Sequence, residues 1–391
     1  MNKKASLSII FFTIFIDLLG FGILIPILPT FASKNLSISD FEIGFLIAVF
    51  SMMQFIISPI LGRFSDRIGR RPIILVTLLI TSLSYIIFSF SNSFLILFIS
   101  RLLAGIGGSN IAVAQAYIAD ITSREERSKG MGLVGAAFGL GFVFGPLLGG
   151  LLSNYGYQVA GYVASFFSFL AFIFAFIYLK ESLVKKKKNS KLSFKIFDIK
   201  NTLRILSIPK VGMSIILFFI VVFSFANIYG TFSIIGYKRF GFTDQEIGYQ
   251  FGVIGLVGAI IQGGFINILT NRFKETKLVI AGLLFLMIGL GGIPYGGNFI
   301  GVAVVVSLLA IGTGILQPVV LSMVSKYSSD IEQGAILGVN QSLASLARVL
   351  GPIWGGFAFE YIGFDFPFIT GAFFTFITII FYLIFMKKLE T

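Results

Sequence analysis

Twelve apolar blocks of roughly 20 residues run through this chain, and they constrain its fold more than any other feature. A hydrocarbon core about 30 Å thick is crossed by about 20 residues rising 1.5 Å each, so every block is long enough to span a bilayer. The spans are predicted at 7–30, 42–62, 72–90, 95–118, 131–153, 159–180, 211–236, 247–268, 277–295, 299–321, 335–356 and 366–386. Lipid offers the backbone no hydrogen-bond partners, so continuously apolar spans must be helices. Alternating apolar and polar residues, the mark of an outer-membrane barrel, are absent. Composition agrees: 56% of the 391 residues are hydrophobic and 12% charged, against about 25% charged in soluble domains. Many blocks also contain Gly or Pro, which membrane helices tolerate because neighbouring helices satisfy the freed backbone groups.

The net charge of +13 would suggest nucleic acid in a soluble chain, but here the charges have an order of their own. With the N-terminus placed in the cytoplasm, 25 of the 30 Lys and Arg fall in inner segments, three (Lys34, Lys238, Arg239) in outer loops, and two (Arg101, Arg348) inside spans. This positive-inside asymmetry sets both termini in the cytoplasm and demands an even number of spans. There is no Cys and no His, which excludes disulfides, thiol metal sites and the commonest proton shuttle. No phosphate-binding loop or catalytic triad is present, so the chain reads as neither an enzyme nor a direct user of ATP. The first block has a basic flank but no small-residue cleavage site, and is read as span 1 rather than a removed signal peptide.

The longest polar stretch, 181–210 with Lys185 to Lys188, separates a six-span bundle at 1–180 from another at 211–391. It is read as a basic cytoplasmic linker. The halves repeat each other at an offset of about 204 to 207 residues: SDFEIG (Ser39 to Gly44) returns as TDQEIG (Thr243 to Gly248), RLLAGIGG (Arg101 to Gly108) as SLLAIGTG (Ser307 to Gly314), and GPLLGG (Gly145 to Gly150) as GPIWGG (Gly351 to Gly356). Parallel six-span repeats place a binding site near the midplane and give alternating access by rocking. The fold class expected is therefore an all-α membrane protein of twelve helices in two pseudo-symmetric bundles.

Between spans 2 and 3 the chain reads GRFSDRIGRRP, Gly62 to Pro72, an acid among four arginines at a tight turn. With Gly62, Asp66, Arg67, Gly69, Arg70 and Arg71 in register, this stretch resembles the loop signature of the major facilitator superfamily. The resemblance implies that Asp66 docks near the start of span 11 in the outward-facing state, where a helix N-terminus favours negative charge, and that Arg70 pairs with Asp120 at the end of span 4.

Span 4 carries Arg101, Gly105, Gly108, Ala112 and Gln115 on one helical face, and span 8 carries Gly248, Gly252, Gly255, Ala259 and Gln262 likewise. Such small, polar faces serve either close helix packing or an inward-facing cavity. Arg101 needs a partner or a wet cavity, since a cation inside a span costs at least about 2.5 to 3.5 kcal/mol. It is either structural, bonded to backbone carbonyls, or part of proton coupling. Span 5 sets Gly141, Gly145 and Gly149 four apart, with Gly150 following and Pro146 removing one backbone donor. This glycine ridge resembles the antiporter motif of drug/proton exporters, and LGFGILIPILP (Leu19 to Pro29) resembles their span 1 signature. AYIADITSREERSKGMG (Ala116 to Gly132) and SLARVLGPIWGG (Ser345 to Gly356) are most similar to tetracycline/proton antiporters and related multidrug exporters. Those tetracycline exporters have further acids in spans 3 and 9, where this chain has none, and the resemblance leaves open whether tetracycline itself or another multidrug or tetracycline-like compound is the cargo.

Asp17 is the one carboxylate deep inside a span. Desolvation disfavours a carboxylate in its charged form, which suits an acid that takes up and releases protons in a proton-coupled carrier. The alternative is a permanent ion pair or a neutral hydrogen-bonded acid. Gln54, Asn110, Gln115, Asn227, Gln262, Gln317, Asn340 and Gln341 are candidate cavity groups, with Arg348 a candidate anion contact. Neutral amides among apolar walls suit amphipathic cargo, although each amide could instead bridge helices. The function expected is proton-driven export of small amphipathic compounds by a monomer in the inner membrane, needing no cofactor, no metal and no nucleic acid. A metabolite or sugar-derivative permease of the same fold, and a non-transporting membrane receptor that needs no titratable Asp17, are the competing readings.

Overall fold

The computed structural model describes residues 3–123, 127–183, 199–328 and 332–390, and among these every regular element is helical. Lys185 to Lys188 and Arg124 lie outside the described residues. In chain order the helices are α1 (Lys3–Leu36), α2 (Asp40–Ile68), α3 (Arg70–Ser89), α4 (Phe94–Gly107), α5 (Asn110–Ile121), α6 (Arg127–Ser153), α7 (Tyr157–Tyr178), α8 (Ile199–Leu206), α9 (Pro209–Ala226), α10 (Ile228–Lys238), α11 (Asp244–Ile260), α12 (Ile266–Arg272), α13 (Glu275–Gly292), α14 (Phe299–Lys326), α15 (Gln333–Tyr361) and α16 (Phe366–Glu390). Twelve spans result. Eleven are long and apolar enough to cross a membrane by composition alone; the twelfth, α15, has 29 residues but is diluted by Asn340, Gln341 and Arg348.

Several predicted spans are interrupted. Span 4 divides into α4 and α5 at Gly108 and Ser109, after two consecutive glycines have weakened the helix. Span 7 divides into α9 and α10 at Asn227, and span 8 passes through a π-helical turn at Ile261–Phe265 before α12. Span 9 closes with a 3-10 turn at Ile293–Tyr295. These breaks leave the apolar periodicity intact, which is why the hydropathy pattern reads each as one segment. The expected linker is also partly structured: its end forms α8, whose Ile205 is fully buried in a cluster with Val211, Ile215, Val324, Ile336 and Val339.

The chain forms two compact units, one comprising Met1–Ile38 and Val49–Ile196, the other Ser39–Ala48 and Phe197–Thr391. The start of α2 thus groups with the C-terminal helices while the rest groups with the N-terminal ones. Within the second unit, Asp40 receives Lys238 Nζ at 2.7 Å, the backbone N–H of Phe41 donates to Glu360 at 2.7 Å, and Gly44 lies against Pro352 and Gly356.

The internal repeats have physical counterparts. SDFEIG and TDQEIG are both capping boxes: the Glu42 N–H donates to Ser39 Oγ at 3.3 Å and the Ser39 N–H to Glu42 Oε2 at 3.0 Å, and Thr243 and Glu246 do the same at 3.2 and 2.8 Å. Each box satisfies donors that a helix start leaves orphaned. The two GP-containing stretches are close-packing ridges. In the first unit a Cβ on Gly145 would stand 2.5 Å from Gly22 Cα, and one on Gly141 would meet Leu18 Cβ at 2.8 Å. In the second unit a Cβ on Gly351 would stand 2.8 Å from the Phe223 carbonyl oxygen, while Gly355 faces the Asn227 side chain.

The ridge on α6 has no room for a side chain. Gly145→Leu is expected to cost about 1 to 3 kcal/mol or more through overpacking, seen as a lowered melting temperature of the purified protein. Gly135→Ala, at a position with nothing within 4 Å of its added Cβ, is expected to be neutral or slightly stabilising; equal effects of the two would refute the ridge assignment.

Candidate functional site

The first unit holds a buried polar cluster around Asp17, nearly midway along α1. Asp17 is 7% exposed, and both its oxygens accept hydrogen bonds: Asn110 Nδ2 of α5 donates to Oδ2 at 2.8 Å, and Ser168 Oγ of α7 donates to Oδ1 at 2.8 Å. Among the described residues no Lys or Arg stands within ion-pair distance of this carboxyl. Tyr85 of α3, fully enclosed, is within electrostatic reach of both Asp17 and Arg101. Close to one α-helical turn beyond Asp17, a Cβ on Gly20 would meet the Ala164 carbonyl at 2.8 Å and Ser168 Oγ at 3.2 Å, so α1 approaches α7 closely enough for Ser168 to reach the acid.

Arg101 is 4% exposed. Its guanidinium meets Ser100 Oγ at 3.3 Å and lies over the Phe88 ring, 5.9 Å from the centroid, a cation–π arrangement. Its Nε has no hydrogen-bond partner among the described residues. Of the two readings of this arginine, bonding to backbone carbonyls is not found among the described residues. The neighbouring glycines are packing positions: a Cβ on Gly105 would stand 2.5 Å from the Phe50 carbonyl, and Gln54 Nε2 donates to the Gly108 carbonyl at 2.9 Å.

The loop between α2 and α3 is organised by Arg70. Its Nη2 pairs with Asp66 at 2.6 Å, its Nε with Asp120 at the end of α5 at 3.0 Å, and its Nη1 donates to Ser65 Oγ at 2.5 Å and the Gly62 carbonyl at 3.4 Å. Asp66 therefore sits in the Arg70 network in this structure. Gly69 has φ +120°, a conformation that favours glycine, and a side chain there would collide with Glu181. The Glu181 carboxylate accepts the backbone N–H groups of Arg70 at 2.9 Å and Arg71 at 3.3 Å, capping the positive end of α3. Ser182 Oγ adds a bond to Asp120 at 3.0 Å, and Arg71 donates to the Phe176 carbonyl at 2.7 Å. Arg67 lies in the last turn of α2, and its Nε has no hydrogen-bond partner among the described residues.

The α6 ridge touches α1 beside the acid: Gly141 faces Leu18, Gly145 faces Gly22, and Gly149 faces Ile23. Gly150 is buried and Pro146 lies inside α6. The remaining candidates are spread out. Asn110 is committed to Asp17, and Asn227 Nδ2 donates to the Pro367 carbonyl at 2.6 Å, bridging helices. Gln115, Gln262 and Gln341 are exposed, Gln317 is half-buried, and Asn340 is buried with its Oδ1 unbonded among the described residues. Arg348 reaches Ser345 Oγ at 3.0 Å.

Sequence reasoning missed Ser168, Tyr85, Glu181 and Ser182. Ser168 had a signal: it lies on the buried face of α7 with Ala160, Gly161, Ala164, Ser165, Ala171 and Ala175, a stripe of small residues at helical spacing. Glu181 had only its place as an acid at the edge of a basic stretch.

Two bundles of six spans, one with a lone hydrogen-bonded acid at the heart of its first helix, define a membrane carrier rather than a catalyst. The chain belongs to the Major Facilitator Superfamily, whose family model matches residues 10–305 and 263–391. It is 31% identical over 384 residues to multidrug resistance protein 2 of Bacillus subtilis (strain 168), covering 95% of this chain and 93% of that protein. It is 32% identical over 365 residues to the class E tetracycline resistance protein of Escherichia coli, covering 92% and 88%. Among solved structures it is similar to the crystal structure of the human organic anion transporter MFSD10 (TETRAN), with TM-score 0.73 and 26% identity over 98% of this chain and 100% of that one. A mutant form of the nucleoside transporter NupG shares the fold at TM-score 0.77 and 11% identity, covering 97% and 99%. The protein is a multi-pass membrane transporter of small molecules and not an enzyme.

Arg70 serves four oxygen acceptors at once, which a lysine's single ammonium cannot reproduce. Arg70→Ala and Asp66→Asn are expected to slow transport of the fluorescent cation rhodamine 6G into vesicles at least tenfold with binding of that dye near that of the parent, and Arg70→Lys is expected to restore little. Loss of binding with intact turnover would contradict this assignment.

Proposed function

We propose that this transporter is a proton-coupled antiporter that exports small amphipathic compounds. It works as a monomer in the cell (inner) membrane with both termini in the cytoplasm, and it needs no cofactor. Its halves, residues 1–180 and 211–391 joined by the linker 181–210, alternate access by rocking. Relatives described as multidrug and tetracycline resistance proteins, at about 30% identity, support export, as does the glycine ridge of α6.

One observation carries the proton coupling: Asp17 is bonded to neutral partners that can serve either protonation state. Ionised, the carboxylate accepts from Asn110 and Ser168 as found. Protonated, it becomes a donor, and the Ser168 hydroxyl can rotate to accept while Asn110 can present its carbonyl oxygen. A permanent arginine partner would instead hold the acid ionised. When proton and cargo compete for the carrier, an inward proton gradient drives cargo out. Each pH unit supplies about 1.4 kcal/mol per proton, and each 100 mV about 2.3 kcal/mol. The Arg70 network acts at the loop, holding α2, α3 and α5 together in one state and releasing them in the other.

The test is transport of rhodamine 6G, a fluorescent cation, in energised inside-out vesicles. The parent protein is expected to accumulate dye, to stop on addition of a protonophore, and to slow at least tenfold as Asp17→Asn. Accumulation unchanged by both treatments would rule out proton coupling through this acid.

A further inference from the structure

Among its described residues the second unit contains a cation without a counter-charge. Arg348 lies near the midpoint of α15, fifteen residues from its first residue Gln333 and thirteen from its last, Tyr361. Its Nη2 meets Ser345 Oγ at 3.0 Å, and the Tyr229 phenol of α10 lies within electrostatic reach. Among the described residues no Asp or Glu is within ion-pair distance of it. The described acids beyond residue 210 are Asp244, Glu246, Glu275, Glu332, Glu360, Asp365 and Glu390, all at or outside helix ends. In the first unit, by contrast, the buried Arg101 shares its bundle with Asp17.

An intramembrane cation faces a water-filled cavity or takes a partner. Gln341, Ser345 and Arg348 follow steps of four and three along α15, which is one helical face. On it Gln341 is exposed, Ser345 and Arg348 are partly accessible, and Gly338, three residues before Gln341, has nothing within 4 Å of the place its Cβ would take. The face is open at Gln341 and Gly338, and the guanidinium further along it is partly accessible. Guanidinium, hydroxyl and phenol are all hydrogen-bond donors, and Tyr229 stands edge-on to Phe225 with centroids 5.5 Å apart, so an apolar aromatic wall adjoins the charge. Donors converging beside aromatic rings suit an anionic group attached to a flat apolar body.

We infer that Arg348, with Ser345 and Tyr229, forms an anion-binding subsite, and that the cargo includes small aromatic organic anions. This deepens the proposed export function and depends on the chain being a small-molecule carrier, but not on Asp17. Exchange of one inward proton for one outward monoanion moves charge in the same sense twice, so the membrane potential assists such cargo more than a neutral compound.

The test compares two dyes on the same xanthene frame, anionic fluorescein and cationic rhodamine 6G. Binding is read by fluorescence anisotropy on the purified full chain in nanodiscs of neutral lipid, without any gradient. Arg348→Gln is expected to weaken fluorescein at least tenfold and leave rhodamine 6G within twofold. Arg348→Lys, which keeps the charge, is expected to retain fluorescein binding within about threefold. Absence of fluorescein binding by the parent, unchanged binding by Arg348→Gln, or equal loss of both dyes by the monodisperse, fully helical Lys variant would overturn the subsite. Fluorescein binding is read without a gradient, and proton coupling by protonophore-sensitive vesicle transport, so failure of proton coupling and failure of the anion subsite give separate results.

Discussion

The approach of α1 to α6 fixes the rest of the first unit. Gly22 and Gly145 meet with no side chain between them, so the two helix backbones come closer than any larger residue would permit. Helices in lipid gain little from burying apolar surface against one another, since the surrounding chains are as apolar as they are, and tight van der Waals contact becomes the main source of cohesion. Contact along Leu18, Gly22 and Ile23 sets the rotation of α1 about its axis. That rotation turns Asp17 toward Asn110 and Ser168. Gly20 does the same work against α7, where α1 nears the Ala164 carbonyl.

The two units then treat charge differently. In the first, an acid and an arginine share one bundle with Tyr85 near both, and the acid's hydrogen-bond partners are neutral and reorientable. In the second, an arginine has only hydroxyl-bearing neighbours for its charge among the described residues. Pro146 and Pro352 occupy matching places in the two GP ridges, and each removes the helix bond to the carbonyl four residues earlier, at Phe142 and Arg348. The repeat is thus preserved in backbone packing while the chemistry on it has diverged.

Much of this was legible in the sequence because a bilayer punishes ambiguity: span length follows from the hydrocarbon thickness, and the two GP ridges stand out as repeated glycine spacing in otherwise bulky spans. The acid at position 17 stood out for the same reason. What stayed hidden depended on contacts between distant segments. Asn110 reads as a cavity amide until α5 is seen to place it on Asp17, and Asn227 reads alike until its bond to Pro367 appears. Ser168 is one of many serines, and only the stripe on α7 marks its face. The breaks at Gly108 and Asn227 leave hydropathy unchanged, so no apolar count can find them.

The start of α2 waits for residues made much later. Its partners are Lys238, Pro352, Gly356 and Glu360, the last of them 319 positions downstream of Phe41. At a synthesis rate of about 5–20 residues per second, roughly 15 to 60 s pass between emergence of Phe41 and of its acceptor. During that interval the capping box of Ser39 and Glu42 is the local structure that can hold the helix start, since it closes within four residues. The start of α2 is therefore unfinished until the ribosome has passed Glu360, and its insertion and final packing are events separated in time.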